Sequence, residues 1–130
     1  MSWVEVFAVF VVSHLVGDFL IQTEWQASHK LGGLGGSPAA RRALLAHLAT
    51  YTLCFLPALI WLDGSLGWAA VGIAALIAVP HYVQDDGRLL SAYLSRVKGA
   101  SARPGDLLYV AVDQTFHLLA LFAVTLLAAD

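Results

Sequence analysis

Four histidines and three aspartates are spaced in this sequence in a way that suggests chemistry. Three of the histidines have an aspartate four residues away, in the pairs His14 and Asp18, His81 and Asp85, and Asp113 and His117. This spacing puts both side chains of a pair on one face of a helix, one turn apart. Imidazole and carboxylate together are the ligands of Zn, Mn, Fe, Co and Ni sites. The pattern therefore predicts a divalent metal site.

The elements that carry these residues are apolar. The chain has 130 residues, of which 59% are hydrophobic and only 12% charged. Four apolar stretches, at about 2–22, 38–62, 66–85 and 106–129, are each near the roughly 20 residues that a helix needs to cross the hydrocarbon of a bilayer. The sequence predicts an all-α integral membrane four-helix bundle, formed by residues 1–130 as one domain. Each predicted span carries one histidine, and the histidine of the second span, His47, is followed four residues later by Tyr51.

The charged and aromatic residues predict the orientation of the bundle. All seven basic residues lie in two loops, which the positive-inside rule places in the cytoplasm, with both termini outside. Three tryptophans mark the outer interface and one marks the inner: Trp3, Trp61 and Trp68, against Trp25. A tight turn is expected at 63–65. After Pro80, apolar residues at helical spacing predict that the third helix extends along the inner membrane surface to about Lys98.

The aspartates should lie just on the cytoplasmic side of the histidines. An aspartate deep in a span costs about 2.5 to 3.5 kcal/mol on insertion scales, and no lysine or arginine lies deep in the membrane to offset it. Arg88, one turn beyond Asp85, is close enough to pair with one carboxylate only. Protonated aspartates that hydrogen-bond to neutral imidazoles would be one structural solution. A divalent cation is the preferred one.

The predicted ligands come from all four spans. Zinc is the first choice of metal, as one or two ions. Three carboxylates leave one divalent ion with a net charge of −1 and two ions with +1, so charge alone does not decide the number. The ligand set exceeds the needs of one tetrahedral ion, which favours two ions or one ion whose ligands hydrogen-bond to further aspartates. The candidate ligands are His14, Asp18, His47, His81, Asp85, Asp113 and His117.

These motifs also resemble a known family. The opening His14-Leu-Val-Gly-Asp18-Phe-Leu-Ile-Gln22 and the closing Asp113-Gln-x-x-His117, together with the pairs of the second and third spans, resemble small bacterial integral membrane proteins catalogued as domain of unknown function 3307. The resemblance covers nearly the whole chain and implies a bacterial cytoplasmic membrane location. It supplies no activity. A looser similarity is to membrane-bound metal-dependent hydrolases, which also place His and Asp one turn apart within spans.

The preferred function is a metal-dependent hydrolase that acts on a lipid or lipid-linked substrate at the cytoplasmic leaflet. In this hypothesis Asp18 or Asp85 takes the proton of the attacking water, and Tyr51 or Arg88 stabilises the developing negative charge. Two alternatives stay open. One is a metal-binding structural or regulatory subunit of a larger membrane complex, and the other is an ion or proton transport module.

Composition and pattern bear on these alternatives unevenly. The outer halves of the predicted spans are almost wholly apolar, which counts against a transport path through a monomer. A net charge of −2 makes nucleic acid an unsuitable partner. Membrane lipid is the expected partner, and a membrane protein or a second copy of the chain is left open. The single cysteine, Cys54, forms no internal disulfide.

Overall fold

The computed structural model describes residues 1–64 and 66–129, and in these residues it contains helices and no strands. A π-helical segment, Val16–Ile21, follows directly on the first helix. Ser65 of the predicted turn at 63–65, and Asp130, lie outside the described residues. The α-helices are α1 Trp3–Leu15, α2 Glu24–His29, α3 Pro38–Cys54, α4 Leu56–Asp63, α5 Trp68–Asp85, α6 Arg88–Arg96 and α7 Leu107–Ala128.

Three helical stretches among the described residues are long and apolar enough to cross a membrane. They are Trp3–Ile21, Pro38–Asp63 and Leu107–Ala128, and they match three of the four predicted spans within two residues at each end. The fourth prediction, 66–85, forms α5, which is also a helix of 18 residues. Its last turns carry His81, Gln84 and Asp85, which make it less apolar than the other three. The structure thus supports membrane association with three clear spans.

The first span changes its helical form where the site begins. Ser2 caps α1, and its side chain and that of Glu5 form a reciprocal capping box. The α-helical pattern gives way at Val16 to the π-helical segment that carries Gly17 and Asp18. A Cβ atom on Gly17 would lie 2.7 Å from the ring of Tyr51, so glycine allows the first span and α3 to approach closely here. The sequence did not predict this segment, and such π-helical turns are common at functional sites.

The third helix does not continue along the membrane surface as predicted. Instead α5 ends at Asp85, and Gly87 adopts a positive φ of 79° before α6 begins. Only glycine takes that conformation readily, so the break is encoded in the sequence. The helix α6 is amphipathic and packs through Leu90 and Leu94 against Tyr109 of α7. It is therefore a separate helix that covers the end of the bundle where the basic loops lie.

The opposite end of the bundle has an apolar core. The buried side chains of this outer core come from α1, α3, α4, α5 and α7, and they pack as one cluster next to the histidines. This cluster consists of aliphatic and aromatic side chains, like most of the sequence in these parts of the predicted spans. Its members are Val6, Phe10, Tyr51, Phe55, Ala58, Leu59, Ala70, Ile77, Leu121 and Val124.

Candidate metal centre

The four predicted histidines meet in one layer of the bundle. All four are buried, and their exposed fractions do not exceed 2%. The ring of His81 lies centrally, with ring centroids 5.1 Å from His47 and 4.7 Å from His117. His14 stacks on His117 with centroids 5.4 Å apart. The structure thus brings together the residues that the sequence placed one per span.

Two of the ring nitrogens lie close to two carboxylate oxygens, and we call this group of four atoms the enclosed site. Its atoms are Nε2 of His47, Nε2 of His81, Oδ1 of Asp18 and Oδ2 of Asp85. The two Nε2 atoms lie 3.0 Å apart. From Nε2 of His47 the carboxylate oxygens of Asp18 and Asp85 lie at 3.2 and 2.9 Å. From Nε2 of His81 the same two oxygens lie at 3.7 and 3.1 Å.

These five separations, from 2.9 to 3.7 Å, lie on either side of the edge length of a tetrahedral coordination shell. Zinc bound at 2.0 to 2.2 Å by nitrogen and oxygen requires ligand atoms about 3.3 to 3.6 Å apart. The Oδ1 atom of Asp18 is buried and has no hydrogen-bond partner among the described residues. Nδ1 of His47 and Nδ1 of His81 lack one as well, so packing orients these rings. The ring of Tyr51 stacks on that of His81 with centroids 3.4 Å apart. The donor set therefore fits a divalent ion.

A second group shares Asp85 with the first, and we call it the open site: His117, Asp85 and Asp113. One ligand atom from each lies within 4.8 Å of the others. The Nδ1–H of His117 donates to the backbone carbonyl of Asp113 at 2.8 Å. In the neutral imidazole that bond leaves Nε2 of His117 as an acceptor. This atom is buried, has no hydrogen-bond partner in the described part of the chain, and lies 3.3 Å from Oδ1 of Asp85. Two facing acceptor atoms need a cation or a proton between them.

His14 is engaged differently from the other three histidines. Its Nδ1 accepts from the hydroxyl of Tyr51 at 3.0 Å, and its Nε2–H donates to the Oε1 atom of Gln114 at 2.9 Å. The amide nitrogen of Gln114 in turn lies 3.3 Å from Oδ2 of Asp18. Both ring nitrogens of His14 thus have hydrogen-bond partners, although its Nδ1 is only 3.6 Å from the carboxylate of Asp18. His14, Asp18 and His81 each have a ligand atom within 4.8 Å of the others.

Lys30 is the functional residue that the sequence analysis missed. It follows α2 directly, and its Nζ donates at 2.7 Å both to Oδ2 of Asp85 and to Oε1 of Gln22. A cation is therefore available to the carboxylates, contrary to the expectation from the predicted spans. The position of Lys30 in the sequence is the signal that could have found it. The short helix α2, which begins with a capping box of Thr23 and Gln26, turns the chain back so that Lys30 reaches the site.

A cavity of about 190 Å³ reaches the site from the basic loops. Its wall includes all three carboxylates and Lys30, and its rim includes the exposed Pro104 and Gly105. None of the three imidazoles of His47, His81 and His117 lines it, so the carboxylates lie between the cavity and these rings. Among the carboxylates the side chain of Asp113 is the most accessible, at 23%.

Two other predicted residues lie away from this cavity. Tyr51 is 1% exposed and sits behind His14, where it donates its hydroxyl proton. Arg88 does not pair with Asp85 as predicted, because its guanidinium binds the neighbouring carboxylate of Asp86. Asp86 also accepts from the backbone N–H of Leu34 at 2.8 Å. Burial alone would raise the pKa of Asp86, but these hydrogen bonds outweigh it and hold the pKa below its usual value.

Helices able to cross a membrane, with a buried layer of imidazoles and carboxylates between them, define the class: an α-helical membrane-associated protein with a candidate metal centre. The chain belongs to the family described as protein of unknown function (DUF3307), which matches residues 6–129. This confirms the family resemblance. No curated protein and no solved structure matches the chain. The looser similarity to hydrolases receives no support from these comparisons.

Proposed function

We propose that this protein holds a divalent metal ion, zinc first among the candidates, inside a four-helix membrane bundle. The observation that carries the proposal is the enclosed site, where ligand atoms from three separate helical stretches converge. Its two imidazole nitrogens lie 3.0 Å apart, and each lies 2.9 to 3.7 Å from the two carboxylate oxygens. Such a convergence of two buried carboxylates and two imidazoles is costly unless a cation compensates it. Lys30 supplies one positive charge and contacts one of the two carboxylates.

The orientation belongs to the same proposal. We place the two basic loops in the cytoplasm, both termini outside, and the protein in a bacterial cytoplasmic membrane. We take α5 as the fourth span, because its 18 residues extend about 27 Å and it packs against α3 and α7, which shield its polar end from lipid. The cavity then opens at the cytoplasmic leaflet.

The activity we propose is hydrolysis of a lipid or lipid-linked ester or phosphate. A bound divalent ion would polarise the reacting oxygen and lower the pKa of water towards about 7. Asp18 is the better proton acceptor, because Oδ2 of Asp85 is already contacted by Lys30, His47 and His81. The water oxygen bonds to the phosphorus or acyl carbon, the ester bond breaks, and the departing alcohol takes the proton that Asp18 had accepted.

Elemental analysis tests the metal. Protein purified in detergent without chelator should contain at least one divalent ion per chain. His47→Ala and His81→Ala should lose it. His29→Ala is the matched control, because His29 is the one histidine outside the layer and should leave the metal content unchanged. Wild-type protein that neither contains a divalent ion nor takes one up on reconstitution would refute the proposal.

Turnover is tested separately. The metal-loaded protein is assayed against a panel of lipid phosphates and lipid esters, with Asp18→Asn as the impaired variant and Asp63→Asn, at the far end of the bundle, as its control. Activity of the wild type that falls at least about 100-fold in Asp18→Asn is expected for a lost general base. Metal-loaded protein without turnover on any substrate would refute the hydrolase.

The enclosed site itself favours a second candidate function. Metal sites that are completed by protein ligands and shielded from solvent are typical of structural ions. A metal-stabilised subunit of a larger membrane complex would need that site only. Copurification of a fixed membrane partner, together with absent turnover in the loaded protein, would favour this candidate over the hydrolase.

A further inference from the structure

We propose that the open site takes a second divalent cation only together with an anion of the phosphate-monoester class, which binds in the cavity between that cation and Lys30. This inference rests on the metal site proposed above. It assigns the two sites different roles: the ion in the enclosed site stabilises the bundle, and the ion in the open site binds the ligand.

The open site, unlike the enclosed site, has too few protein ligands to complete the coordination of an ion. Its three ligand residues are His117, Asp85 and Asp113, and this group contains no fourth histidine, cysteine or carboxylate among the described residues. Nε2 of His117 lies 3.3 Å from Oδ1 of Asp85. Asp85 and Asp113 line the cavity, and the side chain of Asp113 is 23% accessible, against 6% for Asp18, so a ligand in the cavity can reach an ion held by Asp113. Sites with three protein ligands and one open position are the type that binds substrate. The unpartnered Nε2 of His117, 2% exposed, points to an occupant.

The net charge of the site determines when a second cation is stable in it. Three ionised carboxylates and the ammonium of Lys30 leave two negative charges, and one divalent ion cancels them. The charge count made from the sequence did not include Lys30. A second divalent ion would leave two uncompensated positive charges in a low-dielectric bundle, which is costly. A dianion such as a phosphate monoester removes that excess.

The cavity wall supplies a counterpart for the same anion. Nζ of Lys30 is held at 2.7 Å from Gln22 and Asp85, and all three residues line the cavity. An ammonium and a divalent cation on facing walls form a clamp for phosphoryl oxygens. A carboxylic ester would carry no charge to balance the second ion. The phosphate could be free in solution or be the headgroup of a membrane lipid.

Counting bound Mn²⁺ per chain tests the proposal. Electron paramagnetic resonance of free Mn²⁺ is used to titrate the protein in detergent, with and without inorganic phosphate. We expect one ion without phosphate and two with it. Asp113→Asn should bind one ion in both conditions. Lys30→Gln should need about tenfold more phosphate for the second ion, a loss of about 1.4 kcal/mol. Asp63→Asn should behave as wild type.

The source of the phosphate is read from a second titration without free phosphate, in nanodiscs of phosphatidylcholine alone or with phosphatidate. Two ions only in the phosphatidate discs assign the site to a lipid headgroup, and one ion in both disc types assigns it to a soluble phosphate. Two ions without any phosphate, or one ion whether or not phosphate is present, would overturn the inference. No bound ion under any condition would instead refute the metal site on which it rests.

Discussion

The two halves of this bundle are stabilised by different forces, although the same helices run through both. The outer half is closed by packing, with Phe10 and Phe55 in edge contact at 5.8 Å and aliphatic side chains around them. The inner half has buried imidazoles and carboxylates where the outer half has aromatic and aliphatic groups. Its helices are connected through hydrogen bonds and ion pairs that depend on charge.

The difference indicates where the function lies. Apolar packing is satisfied within the protein and needs nothing from outside. The polar half has buried acceptor atoms without hydrogen-bond partners in the described chain, among them Oδ1 of Asp18 and Nε2 of His117. Buried polar groups without partners are rare and call for an explanation, which an ion provides. The comparison therefore predicts that perturbing one half should change the metal site and perturbing the other should not.

Asp85→Ala should have the largest effect, because Asp85 belongs to both sites. Its removal leaves Lys30 without its ion-pair partner and takes one ligand from each site. We expect a loss of about 3 to 5 kcal/mol in the free energy of unfolding, the usual cost of breaking a buried pair, and complete loss of metal. Detergent-exchange unfolding with SDS and elemental analysis measure the two effects. Asp63→Ala is the control, and metal retained by Asp85→Ala at wild-type level would contradict the assignment.

Phe55→Ala should destabilise the outer half by about 3 kcal/mol, since truncation of a fully buried aromatic ring leaves a cavity. Metal content should stay at the wild-type level, because no ligand comes from that part of the core. Leu53→Ala is the matched control: Leu53 is 59% exposed and its truncation should change little. Loss of metal in folded Phe55→Ala would show that the two halves are not independent.

Gly17→Ala should have a smaller effect on stability, about 1 to 3 kcal/mol, as expected for overpacking. The new methyl group would lie 2.7 Å from the ring of Tyr51, which is fixed by its hydrogen bond to His14 and by stacking on His81. Metal affinity should fall because the strain is passed to ligands of the enclosed site. Gly72→Ala, which meets no atom within 4 Å, should leave both quantities unchanged. Equal effects of the two substitutions would show that the close approach is unimportant.

The sequence predicted the apolar helices and the layer of histidines because both depend on local periodicity. Residues spaced by four share a helix face, and hydropathy reports the spans, so His81 and Asp85 could be paired without coordinates. The first span, 2–22 by prediction and Trp3–Ile21 in the structure, shows how accurate that signal is. The change to π-helical geometry within it was invisible, because periodicity does not distinguish the two forms over six residues.

The loop residues near the site could not be predicted from helical periodicity and hydropathy. In the sequence analysis Lys30 was used only to predict the orientation of the bundle. In the structure its Nζ contacts Asp85, which lies 55 residues further along the chain. Arg88 was expected to pair with Asp85 on helical spacing, but the positive φ of Gly87 interrupts the helix and places it on Asp86. Contacts made by loops that fold back depend on backbone turns and tertiary packing, which a hydropathy pattern does not contain.

The smallest expected effect concerns the loop that carries Lys30. Asp86 fixes this loop to the start of α6, with Gly32 donating to its carbonyl at 2.9 Å and Leu34 to its carboxylate at 2.8 Å. Asp86→Asn keeps an acceptor oxygen but removes the charge that binds Arg88, so the free energy of unfolding should fall by only about 1 kcal/mol. Release of metal to an external chelator should nevertheless become several-fold faster, because Lys30 and its loop cover the cavity from which an ion must leave. Asp106→Asn, at the amino-terminal cap of α7, should lose similar stability without faster release. If the two variants released metal at the same rate, the loop would not be a barrier, and the inner half would be stabilised by its ligands alone.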